Sequence, residues 1–300
     1  MLPKMGEYQD GAYLEMKALV ANADGGYASS KIYFESLHAL SSAELAAAEV
    51  VLGDEIGRGA FGVVYTGSYR GEVVAVKKAL GDETSDFRAE MERIRGLPVH
   101  PNIVPLVGVC VDPLMIVMGF CEGGSLEDWL KDTESGMLVR WKFLEDIAAG
   151  LEHLHKHEIV HRDLAARNVL LTGDGVAVLA DFGRSRRVVD DGGVVTTSMT
   201  GPVKWMAPEE MMEKKSSRAS DVFAFGVVCY EVLTREKPWP GLSARDAGMK
   251  VLKGERMEKP DEVRWEVWEV VSKCWAHEAG KRPGVEEVRG RLGGMRGLFE

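Results

Sequence analysis

The chain has no long apolar run. Its longest, Val222 to Tyr230, is ended by Glu231; such a run is too short to span a bilayer and suits a buried helix. The first residues, Met1-Leu2-Pro3-Lys4-Met5-Gly6-Glu7, lack the apolar stretch of a secretory leader. Cysteine is scarce: Cys110, Cys121, Cys229 and Cys274 form no CxxC pair and no metal-ligand spacing. Free thiols in a reducing compartment, and with them a cytoplasmic location, are expected. An excess of basic charge is also missing. The net charge of -10 argues against nucleic acid or an anionic membrane as the main partner, because both select for basic surfaces. No internal repeat occurs, and no GxxxxGK[ST] sequence, which excludes the Walker type of phosphate loop.

What is present is ordinary globular material. With 300 residues, 45% of them hydrophobic and 28% charged, the chain can hold one large domain or two small ones around a sizeable core. Residues 1–48 read as a partly disordered flank. They hold four of the seven tyrosines (Tyr8, Tyr13, Tyr27, Tyr33) and the soft stretch Asn22-Ala23-Asp24-Gly25-Gly26. Leu45 to Glu49, preceded by Ser41 and Ser42 as caps, predicts a short helix. From Val50 to Ile56, through Gly57-Arg58-Gly59-Ala60-Phe61-Gly62, to Val63–Gly67 the pattern is strand, glycine turn, strand. Glu72–Lys77, Val104–Val109 and Leu114–Met118 predict further strands, and Ser85–Arg95 a helix capped by Ser85. After Gly123-Gly124 the reading is mostly helical. Leu138, Trp141, Leu144, Ile147, Leu151 and Leu154 recur at helical spacing, and Asp221–Leu233 is apolar all round. A β-rich first part and a helical second part predict an α+β chain with two lobes.

The most informative chemistry lies in His161-Arg162-Asp163-Leu164-Ala165-Ala166-Arg167-Asn168, followed by Asp181-Phe182-Gly183. Phosphoryl transfer needs one carboxylate to orient an attacking hydroxyl, and an amide and a second carboxylate to hold magnesium. Asp163, Asn168 and Asp181 supply that inventory. The glycine turn matches GxGxxG, and Val63-Val64-Tyr65 continues it as a strand where a Rossmann turn would open a helix. Glycines let backbone amides approach phosphate oxygens. Lys77 sits on the apolar strand Val74-Ala75-Val76, where an unpaired ammonium is costly to bury. Of Glu83, Glu90 and Glu92, Glu90 is the expected partner, since Phe87 and Ile94 flank it at helical spacing and turn that face inward. His153, His155, His157 and His161 invite a metal reading, but spacings of two do not put ligands on one helix face.

On these motifs, residues 50 to about 294 resemble a eukaryotic protein kinase domain of the tyrosine kinase or tyrosine-kinase-like group. The resemblance implies a bilobal α+β fold. A small β-rich N-lobe (49–118), a hinge (119–121) and a larger helical C-lobe (122–296) would hold the ATP site in the cleft between them. It implies that Ile56 and the amides of Gly57, Gly59 and Gly62 cover the nucleotide, and that Lys77, held by Glu90, grips the phosphates. Val64, Ala75 and Leu170 would sandwich the adenine, Met118 would be the gatekeeper, and the backbone of Gly119-Phe120-Cys121 would bond the adenine edge. Asp163 would act as catalytic base with Arg167 in the catalytic set, and Asn168 and Asp181 would ligate Mg2+. Ile94, Leu106, His161 and Phe182 would stack as a spine anchored on Asp221. Glu209, in Ala207-Pro208-Glu209, would pair with Arg282, while Trp265, Trp268 and Trp275 would belong to the helical core.

The acceptor is less clear-cut. HRDLAARN and Pro202-Val203-Lys204-Trp205-Met206-Ala207-Pro208-Glu209 are similar to both tyrosine kinases and the tyrosine-kinase-like group. Asp181 to Glu209 contains no tyrosine but does contain Thr196, Thr197, Ser198 and Thr200. A serine or threonine of a protein substrate is therefore the first expectation and a tyrosine the alternative. Phosphorylation is expected within these four loop residues, and a phosphate on Thr196, Thr197 or Ser198 would pair with Arg162, assisted by Arg186 or Arg187. The flank tyrosines read as ordinary side chains ahead of phosphorylated docking sites. Two residues depart from the family pattern: Arg184 stands where a hydrophobic residue is usual, and Gly119 replaces an acidic residue at the hinge. A pseudokinase would lack one of Lys77, Asp163, Asn168 or Asp181, and all four are present.

Overall fold

Alternating apolar residues between Val50 and Ala79 build three strands, β1 (Val50–Arg58), β2 (Gly62–Tyr69) and β3 (Glu72–Ala79). The computed structural model describes residues 44–59, 62–81, 84–188, 193–195 and 202–298. Two compact units make up the described residues. The first runs to Gly124 and takes in Leu170–Gly183; the second comprises Ser125–Val169 and the chain from Arg184. The hinge residues Gly119–Cys121 thus lie inside the first unit.

In the first unit β4 (Leu106–Val111) and β5 (Leu114–Gly119) complete a five-stranded antiparallel sheet in the order β1-β2-β3-β5-β4. One face is closed by Leu45, Val50, Tyr69, Val74, Val76, Val107, Cys110, Met115 and Val117. β4 begins two residues later than the sequence predicts, because the Val104 N–H is spent on the Leu179 carbonyl at 2.9 Å. Leu179 ends β8 (Ala177–Leu179), which pairs with β7 (Val169–Leu171). Helix α1 (Ser85–Arg95) buries Phe87, Glu90, Met91 and Ile94, the spacing of a single inward stripe. Ser85 is its first helical residue and not its cap; Thr84 holds the cap position.

The flank enters the fold. Glu44 pairs in parallel with Val109 on β4, the edge strand, and the Leu45 N–H donates to the Val109 carbonyl at 2.7 Å. The short helix expected over Leu45–Glu49 is a 3-10 turn of Ala47–Glu49. Pairing of Glu44 and Leu45 with β4 leaves too little chain for an α-turn. Ser41, Ser42, Ala60, Phe61, Glu83, the four flank tyrosines and Thr196, Thr197, Ser198 and Thr200 lie outside the described residues.

The second unit is helical: α2 (Leu126–Asp132), α3 (Met137–Lys156), α4 (Pro208–Glu213), α5 (Arg218–Thr234), α6 (Ala244–Leu252), α7 (Trp265–Cys274) and α8 (Val285–Met295). Trp141, Leu144, Ile147, Leu151 and Leu154 are all buried on α3, as their spacing predicts. Helix α5 is buried almost throughout and is capped by Ser217, whose hydroxyl accepts from the Ser220 N–H. Gly226 on α5 makes room for Trp275: a Cβ there would lie 2.5 Å from Trp275 Nε1. Trp268 and Trp275 meet edge to face in the core, but Trp265 is 66% exposed. It occupies the first turn of α7, ahead of the buried stretch that begins at Val267. Among the described residues no helix is long and apolar enough to cross a membrane.

Candidate active site

The sheet register of the first unit sets several expected residues on one face. Val64 lies opposite Lys77, Thr66 opposite Ala75, and Ala75 opposite Met118; directly paired residues share a face. Val74, Val76 and Val117 take the other face and seal it. Lys77 is thereby held on a rigid strand. Its Nζ lies 2.6 Å from Glu90 Oε1 and 3.0 Å from Asp181 Oδ1. Burial works against the Lys77 ammonium, yet the two carboxylates outweigh it and raise its pKa above the ordinary lysine value. Of the two glutamates weighed that the structure describes, Glu90 is buried, while Glu92 on the same helix is exposed. Asp181 sits in the left-handed region at φ 58°, a conformation aspartate tolerates better than most residues.

The glycine turn is closed by a Gly59 N–H bond to the Gly62 carbonyl at 2.9 Å. Gly62 is required by packing, since a Cβ would meet the Lys78 carbonyl oxygen at 2.7 Å. Gly57 and Gly59 are not so constrained: among the described residues the nearest atoms to where their Cβ would be lie at 3.8 Å and 4.0 Å, respectively. Their missing side chains leave backbone open to a phosphate, and the turn fits a nucleotide in that respect. Ile56, Val64, Ala75, Met118 and Leu170 are half-buried, and Cys121 is buried, its thiol pushed up to about 12 by that burial. The Gly119 N–H is taken by the Pro105 carbonyl at 2.9 Å.

The second unit assembles the loop that carries Asp163. Asp221, buried on α5, accepts from the His161 N–H at 2.8 Å and the Arg162 N–H at 2.9 Å, and His155 Nε2 lies 2.9 Å from the same carboxylate. Arg162 is held at φ 68°, a strained conformation that these two bonds over-determine. Arg167 Nη2 donates to Asp163 Oδ1 at 2.6 Å, and Asn168 Nδ2 donates to the Asp163 carbonyl at 2.7 Å. That bond leaves the amide oxygen as the acceptor end of Asn168. An amide oxygen and the half-exposed Asp181 carboxylate are hard donors of the kind magnesium takes. Among the described residues no three His, Cys, Asp or Glu side chains are arranged to hold a metal ion. His155 is instead engaged by Asp221, and His157 Nδ1 by the His153 carbonyl.

Of the spine residues, Ile94, Leu106 and Phe182 are buried in the first unit and His161 in the second. Arg282 forms the expected pair with Glu209, through two bonds of 2.6 and 2.8 Å. Arg162 Nε donates to Ser216 Oγ at 3.1 Å and its Nη1 to the Arg184 carbonyl at 3.0 Å. Burial, then Arg186 and Arg184, push the Arg162 pKa down. One residue of this region had no role read for it in the sequence. Glu231 Oε2 accepts from the Trp205 indole N–H at 2.8 Å and the Ala166 N–H at 3.0 Å. Its only sequence signal was an acidic side chain ending an apolar run.

A glycine turn between strands, a strand lysine paired with a helix glutamate, and a loop aspartate braced by a central helix define the class as protein kinase-like. The comparisons give the family: the model of the protein tyrosine and serine/threonine kinase family matches residues 50–292, and the chain belongs to that family. It is similar to Tyrosine-protein kinase Btk of Drosophila melanogaster, 34% identical over 254 residues, covering 81% of this chain and 32% of the relative. It is also similar to Megakaryocyte-associated tyrosine-protein kinase of Rattus norvegicus, 35% identical over 249 residues, covering 81% of this chain and 53% of that one. Tyrosine-protein kinase Fer of Homo sapiens is 34% identical over 255 residues, covering 81% and 31%. The chain thus spans about a third to a half of the length of these relatives.

Proposed function

We propose that the chain is an ATP- and magnesium-dependent protein kinase that transfers the γ-phosphoryl of ATP to a tyrosine hydroxyl of a protein substrate. The observation that carries the reading is the buried Lys77–Glu90 pair with Asp181 at 3.0 Å from the same ammonium. A lysine held charged in this way is suited to grip phosphate. In this reading Asp163 orients the acceptor hydroxyl and takes its proton, and Arg167 fixes the carboxylate that does so. Ile56, Gly57, Gly59, Gly62, Val64, Ala75, Gly119, Cys121 and Leu170 bind the nucleotide. Asn168 and Asp181 would hold magnesium, which when bound neutralises charge on the phosphate oxygens. The four buried free thiols suit the cytoplasmic location expected from the sequence.

The three relatives, all named as tyrosine kinases, favour tyrosine over the serine or threonine that the sequence suggested first. The serine/threonine reading keeps one supporting observation, the tyrosine-free stretch from Asp181 to Glu209. Incubation with labelled ATP, magnesium and separate tyrosine-only and serine/threonine-only polymers tests both. Label on tyrosine is expected, and Asp163→Asn should lose at least ~100-fold in rate. Equal transfer by that variant would refute the reading, and phosphoserine or phosphothreonine would reverse the acceptor. Phosphorylation at Thr196, Thr197, Ser198 or Thr200 remains part of the proposal. It is supported by the crowding of Arg162, Arg184 and Arg186, whose mutual repulsion a dianion would relieve. Alanine at all four positions should lower activity of the purified protein; undiminished activity would remove this element.

A further inference from the structure

We infer that Glu231 is a positioning residue for Asp163, acting through Trp205 and Arg167. The inference rests on the kinase reading and extends it to a side chain that touches none of the expected reactants. Glu231 lies on the buried helix α5 and is 3% exposed. Its single oxygen Oε2 accepts two hydrogen bonds, from the Ala166 N–H at 3.0 Å and from Trp205 Nε1 at 2.8 Å. The Arg167 guanidinium lies over the Trp205 ring, 4.8 Å from its centroid. Arg167 Nη2 in turn donates to Asp163 Oδ1 at 2.6 Å. The contacts form a closed ring: Asp163 to Arg167, Arg167 to Trp205, Trp205 to Glu231, Glu231 to Ala166, and Ala166 by the peptide bond back to Arg167.

The ring has a mechanical consequence. A guanidinium on a long flexible stem, one-third exposed at Arg167, has many rotamers open to it. Stacking on an indole selects one of them only if the indole plane is itself fixed. The bond to Glu231 fixes that plane, and the second bond pins the backbone beside Arg167 to the same oxygen. Both ends of the arginine that holds Asp163 are therefore referred to one point on a helix that is buried almost throughout. Both bonds at Glu231 are accepted ones, and burial pushes its carboxyl up to about 7, so what the ring needs from position 231 is an acceptor.

The test compares Glu231→Gln, Glu231→Leu and Trp205→Phe with wild type in steady-state phosphoryl transfer, with folding checked by thermal melting. Glu231→Gln keeps an acceptor and should hold kcat within about 3-fold. Trp205→Phe keeps a ring but loses the donor, and should lower kcat roughly 5–10-fold, the worth of one net hydrogen bond. Glu231→Leu leaves two donors unpaired and should lower it by roughly 10–100-fold. In all three the KM for ATP should stay within about 2-fold, because the substituted residues are not among those assigned to the nucleotide. Trp205→Phe alone decides the matter if Glu231→Leu does not fold. Full kcat in Trp205→Phe, a raised KM for ATP at unchanged kcat, or Glu231→Gln as impaired as Glu231→Leu would overturn the inference while leaving the kinase reading intact. A wild type that transfers no phosphate overturns the kinase reading and this inference with it.

Discussion

Lys77 and Glu90 meet at 2.6 Å, on a strand and a helix 13 residues apart, and both are almost wholly buried. Among the described residues Glu90 Oε2 is buried without a hydrogen-bond partner, so the lysine is the main group that stabilises this carboxylate. Removing Lys77 strands a buried charge, which costs about 3–5 kcal/mol where the partner stays behind. Lys77→Ala and Glu90→Ala should each lower the unfolding free energy in urea. The double variant should lose clearly less than the sum of the two, because its members share one interaction. Strict additivity would mean that the pair is not coupled, and that Lys77 is held by Asp181 alone.

That pairing was legible in the sequence because it depends on a local rule. Phe87, Glu90 and Ile94 share a helix stripe, and an apolar strand around Lys77 demands a buried anion. The contact of Leu45 with β4 was not legible, because an edge strand recruits its neighbour through backbone groups that side-chain patterns do not encode. Trp265 misled for the opposite reason. A tryptophan near others suggests core, but its position in the first turn of α7 leaves it exposed. The Trp205–Glu231 bond joins residues 26 apart that belong to different local patterns. Motif spacing gave the inventory of the candidate site but not the bracing behind it.

The glycines of the turn should separate stability from nucleotide binding. Gly62→Ala drives a Cβ to 2.7 Å from the Lys78 carbonyl oxygen, a backbone atom that cannot step aside. A cost of about 1–3 kcal/mol is expected from such overpacking. Among the described residues Gly57→Ala and Gly59→Ala meet no close atom, and they should change stability by less than about 1 kcal/mol. Both should nonetheless raise the KM for ATP, since the new methyl occupies space assigned to phosphate. Denaturant melts and ATP titrations check the two halves separately. Unchanged ATP affinity in both would remove Gly57 and Gly59 from the nucleotide site.

Glu210 gives the fold a pH dependence of known sign. Its carboxylate accepts from Ser216 Oγ at 2.8 Å and from the Ala207 N–H at 3.1 Å. Burial still pushes it from the ordinary 4.5 up to about 7. The folded state therefore binds a proton that the unfolded chain has released between those values. Its contribution to stability is fully present below pH 4.5 and is lost as pH rises through about 7. Glu231 adds to the same window with the same sign. Melting temperatures measured from pH 5 to pH 8 should fall with rising pH, and Glu210→Gln should flatten part of that slope. A slope unchanged in Glu210→Gln would show that the carboxyl does not titrate in this range.

Leu45 lies outside the stretch matched by the family, which begins at residue 50, yet it belongs to the core of the first unit. It is 6% exposed, packs with Val50, Val74 and Val76, and its N–H caps the edge strand at the Val109 carbonyl. Val74 and Val76 alternate with Ala75 and Lys77 on β3, so this plug seals the back of the strand that presents Lys77. Leu45→Ala should cost about 2–4 kcal/mol, the transfer term plus the cavity left behind. A chain beginning at Val50 should be less stable still, since it also bares the Val109 edge to solvent. The measurement is urea unfolding of the three proteins side by side, with phosphoryl transfer assayed well below the lowest midpoint. If the shortened chain matches the full one in both, Glu44 and Leu45 are passengers on the sheet and the functional domain begins where the family match does.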